Sequence, residues 1–289
     1  MTRRNFALYL ALTPGVGGKS LTRVLNRVDM LGISIEEFFA LSPEALREEF
    51  GLRQAVACKV LEQRTSGDAR VEAMQDRLAK LGVNLISAAD AHYPAMIEEM
   101  DEDPPCLLFL HGNQKLLEAR TFSVLSSRNT SPAGMDQIDK LTEKGVLDGE
   151  VAVASDNRPE YQRSALVPLR WGAPRILCLD RGLFEVLGQD LRTEPFRAAR
   201  LWRYQFDPAT DLAISPFHPE AKYKGVNNQV RDRLVACLSR RLDFVEIAPE
   251  GQMEKLALMA LKCGRPVAVS DRSVGYRRLK EQGATVIPA

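Results

Sequence analysis

The chain has 289 residues, 45% of them apolar, with 39 basic residues set against 38 acidic ones. That composition describes a globular protein long enough for one large or two modest domains, and a net charge of +1 excludes a surface that is cationic throughout, so a nucleic-acid surface must come from local clustering. Five scattered cysteines without a C-x-x-C pair and three histidines argue against a disulfide framework, a zinc site or a Ser-His-Asp site, and with no signal peptide and no membrane-length apolar run the expectation is a cytoplasmic protein with no metal, no cofactor and no membrane contact.

The first pattern is helical. Asn5 to Leu12 is rich in Ala and Leu, and Ser20 to Arg27 has helical periodicity. Between them stands Thr13-Pro14-Gly15-Val16-Gly17-Gly18-Lys19-Ser20. It ends like an ATP-binding P-loop, but Thr13 occupies the place of that motif's first glycine, and a helix precedes it rather than a buried strand. Helix, tight glycine turn and helix describe a helix-hairpin-helix. One reading gives Lys19 and the turn's backbone N–H groups a nucleic-acid phosphate; the other makes the glycines a structural turn only. Further helices are expected at Ser34 to Ala40, where Ser34 and Glu37 have capping-box spacing, from Ser42-Pro43, at Leu52 to Gln63, and at Ala69 to Leu81 before Gly82. Residues 1–82 therefore read as a small all-α domain.

Past Gly82 the period changes. Strands are expected at Val83–Ser87, Cys106–Leu110, Phe122–Ser126, Val151–Ala154, Arg175–Leu179, Leu212–Ser215, Phe244–Ile247, Pro266–Val269 and Thr285–Pro288, with helices between most of them. Tyr93-Pro94 opens a short helix. This alternation predicts an α/β, Rossmann-like, mostly parallel sheet with helices on both faces over residues 83–289. Ligands of such sheets bind beyond the carboxyl ends of the strands. Leu183 to Asp211 is the least patterned stretch and reads as an insertion.

Three ordered stretches resemble the DprA/Smf family of bacterial DNA-processing proteins. Tyr93-Pro94 is followed by Asp103-Pro104-Pro105, the apolar Cys106 to Leu110, and Gly112-Asn113. Val124-Leu125-Ser126-Ser127-Arg128 precedes Ser131-Pro132-Ala133-Gly134. Arg231-Asp232-Arg233 opens an apolar run to Ser239, followed by Val245-Glu246 and Gly264-Arg265-Pro266-Val267. The resemblance implies a helix-hairpin-helix or SAM-like domain before the Rossmann-like one. It also implies a non-enzymatic, dimeric protein that binds single-stranded DNA and hands it to the bacterial recombinase. The glycine-rich signature that the family carries after the next strand is replaced by Ala154-Ser155-Asp156-Asn157-Arg158-Pro159-Glu160, and Ser126 stands where the family has glycine. Such erosion suits a second reading, an antitoxin that neutralises a partner toxin of phosphoribosyltransferase type in phage defence. A third, a nucleotide-binding or phosphoribohydrolase-like enzyme, is disfavoured because Pro249-Glu250-Gly251-Gln252-Met253-Glu254 lacks most of the glycines and the threonine that the chemistry uses.

The candidate nucleic-acid contacts are cations near the carboxyl ends of strands. Arg128 follows one strand, and a guanidinium pairs phosphate bidentately and stacks on bases. Arg231 and Arg233 lie at a helix start, with Asn227 and Asn228 as candidate caps. Lys222 and Lys224 flank Tyr223, the composition of a single-strand platform. Arg158 replaces the lost glycine loop and substitutes charge for backbone donors. Arg197, Arg200 and Arg203 have helical spacing and form either a phosphate track or a solvated face. Asp156 and Glu160 form an acid–base pair only on paper, since no nucleophile or metal cluster accompanies them, and no catalytic residue is expected.

Overall fold

A computed structural model of the chain describes residues 1–62, 64–88 and 90–289. Two compact units divide it. One comprises Met1–Tyr93, Pro105–Phe109 and Pro216–His218; the other comprises Pro94–Pro104, Leu110–Ser215 and Pro219–Ala289.

The first unit begins with six helices: α1 (Arg3–Leu12), α2 (Gly18–Leu31), α3 (Ile35–Phe39), α4 (Pro43–Phe50), α5 (Gln54–Glu62) and α6 (Arg64–Lys80). Their ends follow the chemistry of the caps. The Ser34 hydroxyl accepts from the Glu37 N–H while the Glu37 carboxylate accepts from the Ser34 N–H, satisfying two orphan donors reciprocally. Ser42 caps α4, and Gly51 ends it at φ 64°, a left-handed position that glycine adopts without a Cβ clash. Edge-on rings of Phe6, Phe38, Phe39 and Phe50, with neighbouring centroids 5.0–5.7 Å apart, fill the centre. α6 begins five residues before the expected Ala69. The expected helix end at Gln63 lies outside the described residues. Strand β1 (Val83–Ser87) follows.

Helix α7 (Ala95–Glu98) opens the second unit, and β2 (Leu107–Gly112) spans the division. The remaining elements alternate: β3 (Thr121–Leu125), α8 (Pro132–Leu147), β4 (Val151–Ala154), α9 (Pro159–Arg170), β5 (Arg175–Cys178), α10 (Leu183–Leu187), β6 (Leu212–Ser215), α11 (Asn227–Cys237), β7 (Arg241–Phe244), α12 (Gln252–Lys262), β8 (Val267–Ser270), α13 (Tyr276–Glu281) and β9 (Thr285–Ile287). Within the second unit the strand order runs β6-β5-β4-β3-β7-β8-β9. The pairings from β6 through β9 are all parallel. This is the expected Rossmann-like α/β architecture. The inner strands β3 to β6 are buried along their whole length, which is why they read as apolar runs rather than alternating ones.

Two expectations shift. β7 starts at Arg241 rather than Phe244, because the charged residues Arg241 and Asp243 enter the sheet as an ion pair, with Glu150 as a second partner of Arg241. The 183–211 segment is more ordered than its pattern suggests: it contains α10, a 3₁₀ turn at Ala198–Leu201 and an antiparallel bridge between Thr193 and Gln205. Its anchor is Arg175, fully buried at the start of β5. The guanidinium binds Asp211 at 3.0 Å, Glu194 at 2.6 Å and the Ala165 carbonyl at 3.0 Å. No helix among the described residues is long and apolar enough to cross a membrane.

Candidate nucleic-acid interface

The chain passes from β3 to β4, β5 and β6 on one side, and β7, β8 and β9 lie on the other. The order therefore reverses at β3/β7, and the loops after these two strands border the crevice where open sheets take ligands. The two loops are laced together. Ser126 Oγ donates to the Glu246 carbonyl at 2.8 Å, the Ser127 N–H donates to the same carbonyl at 2.7 Å, and the Ala248 N–H donates to Ser127 Oγ at 2.9 Å. Ser126 thus uses its side chain to clamp the neighbouring loop. Glu246 sits at the start of α8: its carboxylate accepts from the Ser131 N–H at 2.8 Å and from Ser131 Oγ at 2.5 Å. A helix N-terminus carries about half a positive charge, and here an internal carboxylate already occupies it. A phosphate at this crevice must therefore be met by cationic side chains.

Arg128 is a cationic side chain beside the crevice. It stands at the exposed tip of the β3–α8 loop, beside Asn129 at φ 62°. Among the described residues Arg128 makes no hydrogen bond or ion pair. Left-handed non-glycine residues recur beyond β4 at Arg158 (φ 78°) and beyond β7 at Glu250 (φ 58°). Such conformations are costly for side-chain-bearing residues and gather at functional loops.

Beyond β4 and β5 lies a buried polar cluster. The Arg181 guanidinium bridges Asp156 at 2.5 Å and Asp180 at 2.6 Å, and Asn157 donates to Asp180 at 2.6 Å. Arg231, fully buried, donates to Asp232 at 2.8 Å, Ser155 at 2.7 Å and Asn228 at 3.0 Å. Its guanidinium lies 4.5 Å from the Tyr161 ring centroid, and the Tyr161 hydroxyl donates to Asp232 at 2.8 Å. Burial pushes the Asp156 carboxyl above the usual carboxylate range; Arg181 pulls against this and Asp180 adds to it. Burial likewise holds the Tyr161 hydroxyl well above its ordinary value, so it stays a donor.

The predicted contacts separate into two groups. Arg128, Lys222 and Lys224 are exposed on loops beyond the carboxyl ends of β3 and β6. Tyr223 between the lysines is 47% exposed, and its hydroxyl accepts from Asn228 at 2.7 Å, which orients the ring. Arg231, expected at the crevice, has no exposure, and every nitrogen of its guanidinium is bonded internally. Arg233 turns away from the crevice to Asp101 at 2.7 Å and the Asp103 carbonyl at 3.3 Å. Arg158 is also drawn inward. It reaches the Ser126 carbonyl at 3.4 Å and Glu160 at 3.5 Å, with 13% of its side chain exposed. Asn227 and Asn228 are not caps but the first residues of α11, and their side chains bind the Asp180 carbonyl and Arg231. Asp156 and Glu160 are held by different arginines rather than paired with each other. Lys19 is exposed in the first turn of α2, in the helical unit, and the preceding element is helix α1, as the hairpin reading requires. Arg203 is withdrawn from the expected track by Asp211 at 2.7 Å. Sequence reasoning missed Arg181 and gave Glu246 no role. Arg181 follows a strand end directly, in Asp180-Arg181-Gly182, the same signal that singled out Arg128. Among the described residues no cluster of His, Cys, Asp and Glu could hold a metal ion.

Residues 84–155, which run from within β1 past the end of β4 and include the Arg128 loop, match the profile of a family described as DNA recombination-mediator protein A. Through this segment the chain is similar to the DprA family. The fold agrees. The crystal structure of DNA processing protein A from Streptococcus pneumoniae superposes with a TM-score of 0.73 at 22% identity, covering 99% of this chain and 95% of that one. A structure of DNA processing protein A from Helicobacter pylori, described for its single-stranded DNA binding mode, gives 0.54 at 18% identity over 71% and 90% of the respective chains. No curated protein matches the sequence at a significant level.

Proposed function

We propose that the chain is a non-enzymatic, cytoplasmic single-stranded DNA-binding protein of bacterial DNA processing, holding the strand along the carboxyl rim of its sheet. The observation that carries this reading is Arg128, exposed and unpartnered at the β3/β7 reversal while the other arginines there are spent on internal pairs. Three strand spacings, about 14 Å, separate the β3 and β6 ends, so Arg128 and the Lys222-Tyr223-Lys224 loop can meet separate phosphates of one strand, with Tyr223 as a stacking ring. Contacts to phosphate and ring faces carry little sequence information, so binding is sequence-tolerant. The DprA resemblance adds a homodimer and a recombinase as partners, which sedimentation and co-purification test.

The direct test is titration of labelled oligo-dT at low salt with the wild type and an Arg128→Ala/Lys222→Ala/Lys224→Ala variant. The variant loses affinity while its thermal unfolding is unchanged. Equal affinity for the two proteins, or no wild-type binding at tens of micromolar, overturns the reading.

A further inference from the structure

At the other end of β5 from the crevice, charges are sorted by side. Between residues 191 and 206 the acidic group Glu194 is buried against Arg175, and Asp211 beyond it is buried against Arg175 and Arg203. Arg197 and Arg200 of the same segment are exposed, as is Arg170 at the end of α9; among the described residues none of the three has an acidic partner. Aromatic rings are exposed among them: Trp171 is 52% exposed, Trp202 47% and Tyr204 76%. The Arg170 guanidinium lies 5.9 Å from the Trp202 ring centroid, and the Trp171 indole N–H donates to Glu143 at 3.1 Å, so two of the rings are already oriented. The buried Arg175 network fixes the segment to the sheet, and the platform is held by the fold rather than formed on demand.

Unpartnered guanidinium groups interleaved with exposed rings match a polyanion with planar bases: cations follow the phosphates while bases stack on the rings. A protein partner is less well matched, because Leu201 is the one large aliphatic side chain of the 191–206 segment that is largely exposed, at 83%. We propose that Trp171, Trp202 and Tyr204, with Arg170, Arg197 and Arg200, form a second contact surface for single-stranded nucleic acid, separate from the carboxyl-rim crevice. This goes beyond the crevice reading and does not require it.

The chain contains two tryptophans, Trp171 and Trp202, both on this surface, so intrinsic fluorescence reports the site selectively. Titration of the full chain with unlabelled oligo-dT at low salt is expected to quench tryptophan emission. The quench persists in the Arg128→Ala/Lys222→Ala/Lys224→Ala variant, which separates this surface from the crevice. Trp202→Ala/Tyr204→Ala weakens the quenching interaction about fivefold or more, given what single rings contribute to stacking. Arg197→Ala/Arg200→Ala lowers the log–log salt slope of that interaction by about 1.4, at roughly 0.7 per phosphate. Binding of labelled oligo-dT without tryptophan quenching, or no quenching at tens of micromolar oligonucleotide, overturns the proposal. So does concentration-dependent self-association abolished by Trp202→Ala/Tyr204→Ala, which would assign the rings to a protein contact.

Discussion

Replacing Arg231 by Met separates structural from DNA-binding arginines. The substitution keeps the length of the apolar stem and removes three hydrogen bonds, to Asp232, Ser155 and Asn228, as well as the guanidinium on the Tyr161 face. Asp232, 4% exposed, is left with the Tyr161 hydroxyl alone among its described side-chain donors, while Asp180 keeps Arg181 and Asn157. Removing one partner of a buried ion pair costs about 3–5 kcal/mol, because the other charge stays buried without compensation. Since Asp180 remains paired, a figure of about 4 kcal/mol is reasonable, several times the value of an exposed pair, about 0–1 kcal/mol. At a urea slope of about 3 kcal/mol per molar, the midpoint of the second unit falls by about 1 M or more. Urea unfolding followed by circular dichroism measures it, and oligo-dT affinity well below the transition stays at the wild-type value. An Arg231→Met protein with an unchanged midpoint and abolished DNA binding would refute the reasoning and return Arg231 to the interface.

Other outcomes follow from the same structure. Gly145→Ala places a methyl group into the Phe122 ring, inside the cluster of Val124, Ile138, Val146, Ala152 and Val245; overpacking at about 1–3 kcal/mol outweighs the roughly 1 kcal/mol of helix propensity that alanine adds, so Tm falls although the helix former is better. The Asp156 carboxyl is raised in the folded state, so the native protein holds this proton more tightly than the unfolded chain does. Its ionisation therefore costs stability progressively as pH rises from the ordinary carboxylate value through the raised one. In Asp156→Asn this component is absent, and the stability difference between variant and wild type, from denaturation at pH 4 to 7, shifts toward the variant as pH rises; a pH-independent difference would contradict the assignment.

Much of the fold was legible because its signals are local. Ser34/Glu37 and Ser42-Pro43 announce helix starts, and Val151–Ala154 and Leu212–Ser215 are short apolar runs that mark buried strands. β7 was displaced because burying Arg241 and Asp243 depends on Glu150, about 90 residues away in the chain, and no local pattern carries that pairing. The site was half legible for the same reason. Position after a strand end found Arg128 and the Lys222–Lys224 loop, but whether an arginine is free depends on which carboxylates fold against it. Arg231 and Arg233 look alike in the sequence, yet one is enclosed by Asp232, Ser155 and Asn228 and the other is tied to Asp101. Arg158 is a further case: its φ of 78° and its ties to Ser126 and Glu160 are set by the fold and not by a local pattern.

The salt dependence of oligo-dT binding tests the central claim most directly. If Arg128, Lys222 and Lys224 each neutralise one phosphate, the Arg128→Ala/Lys222→Ala/Lys224→Ala variant has a log–log salt slope shallower than wild type by about 2, at roughly 0.7 per contact on single strands. Its affinity also falls alike for oligo-dT and mixed-sequence oligonucleotides. Parallel slopes for the two proteins, measured by anisotropy across a salt series, would contradict a carboxyl-rim site built on these three cations.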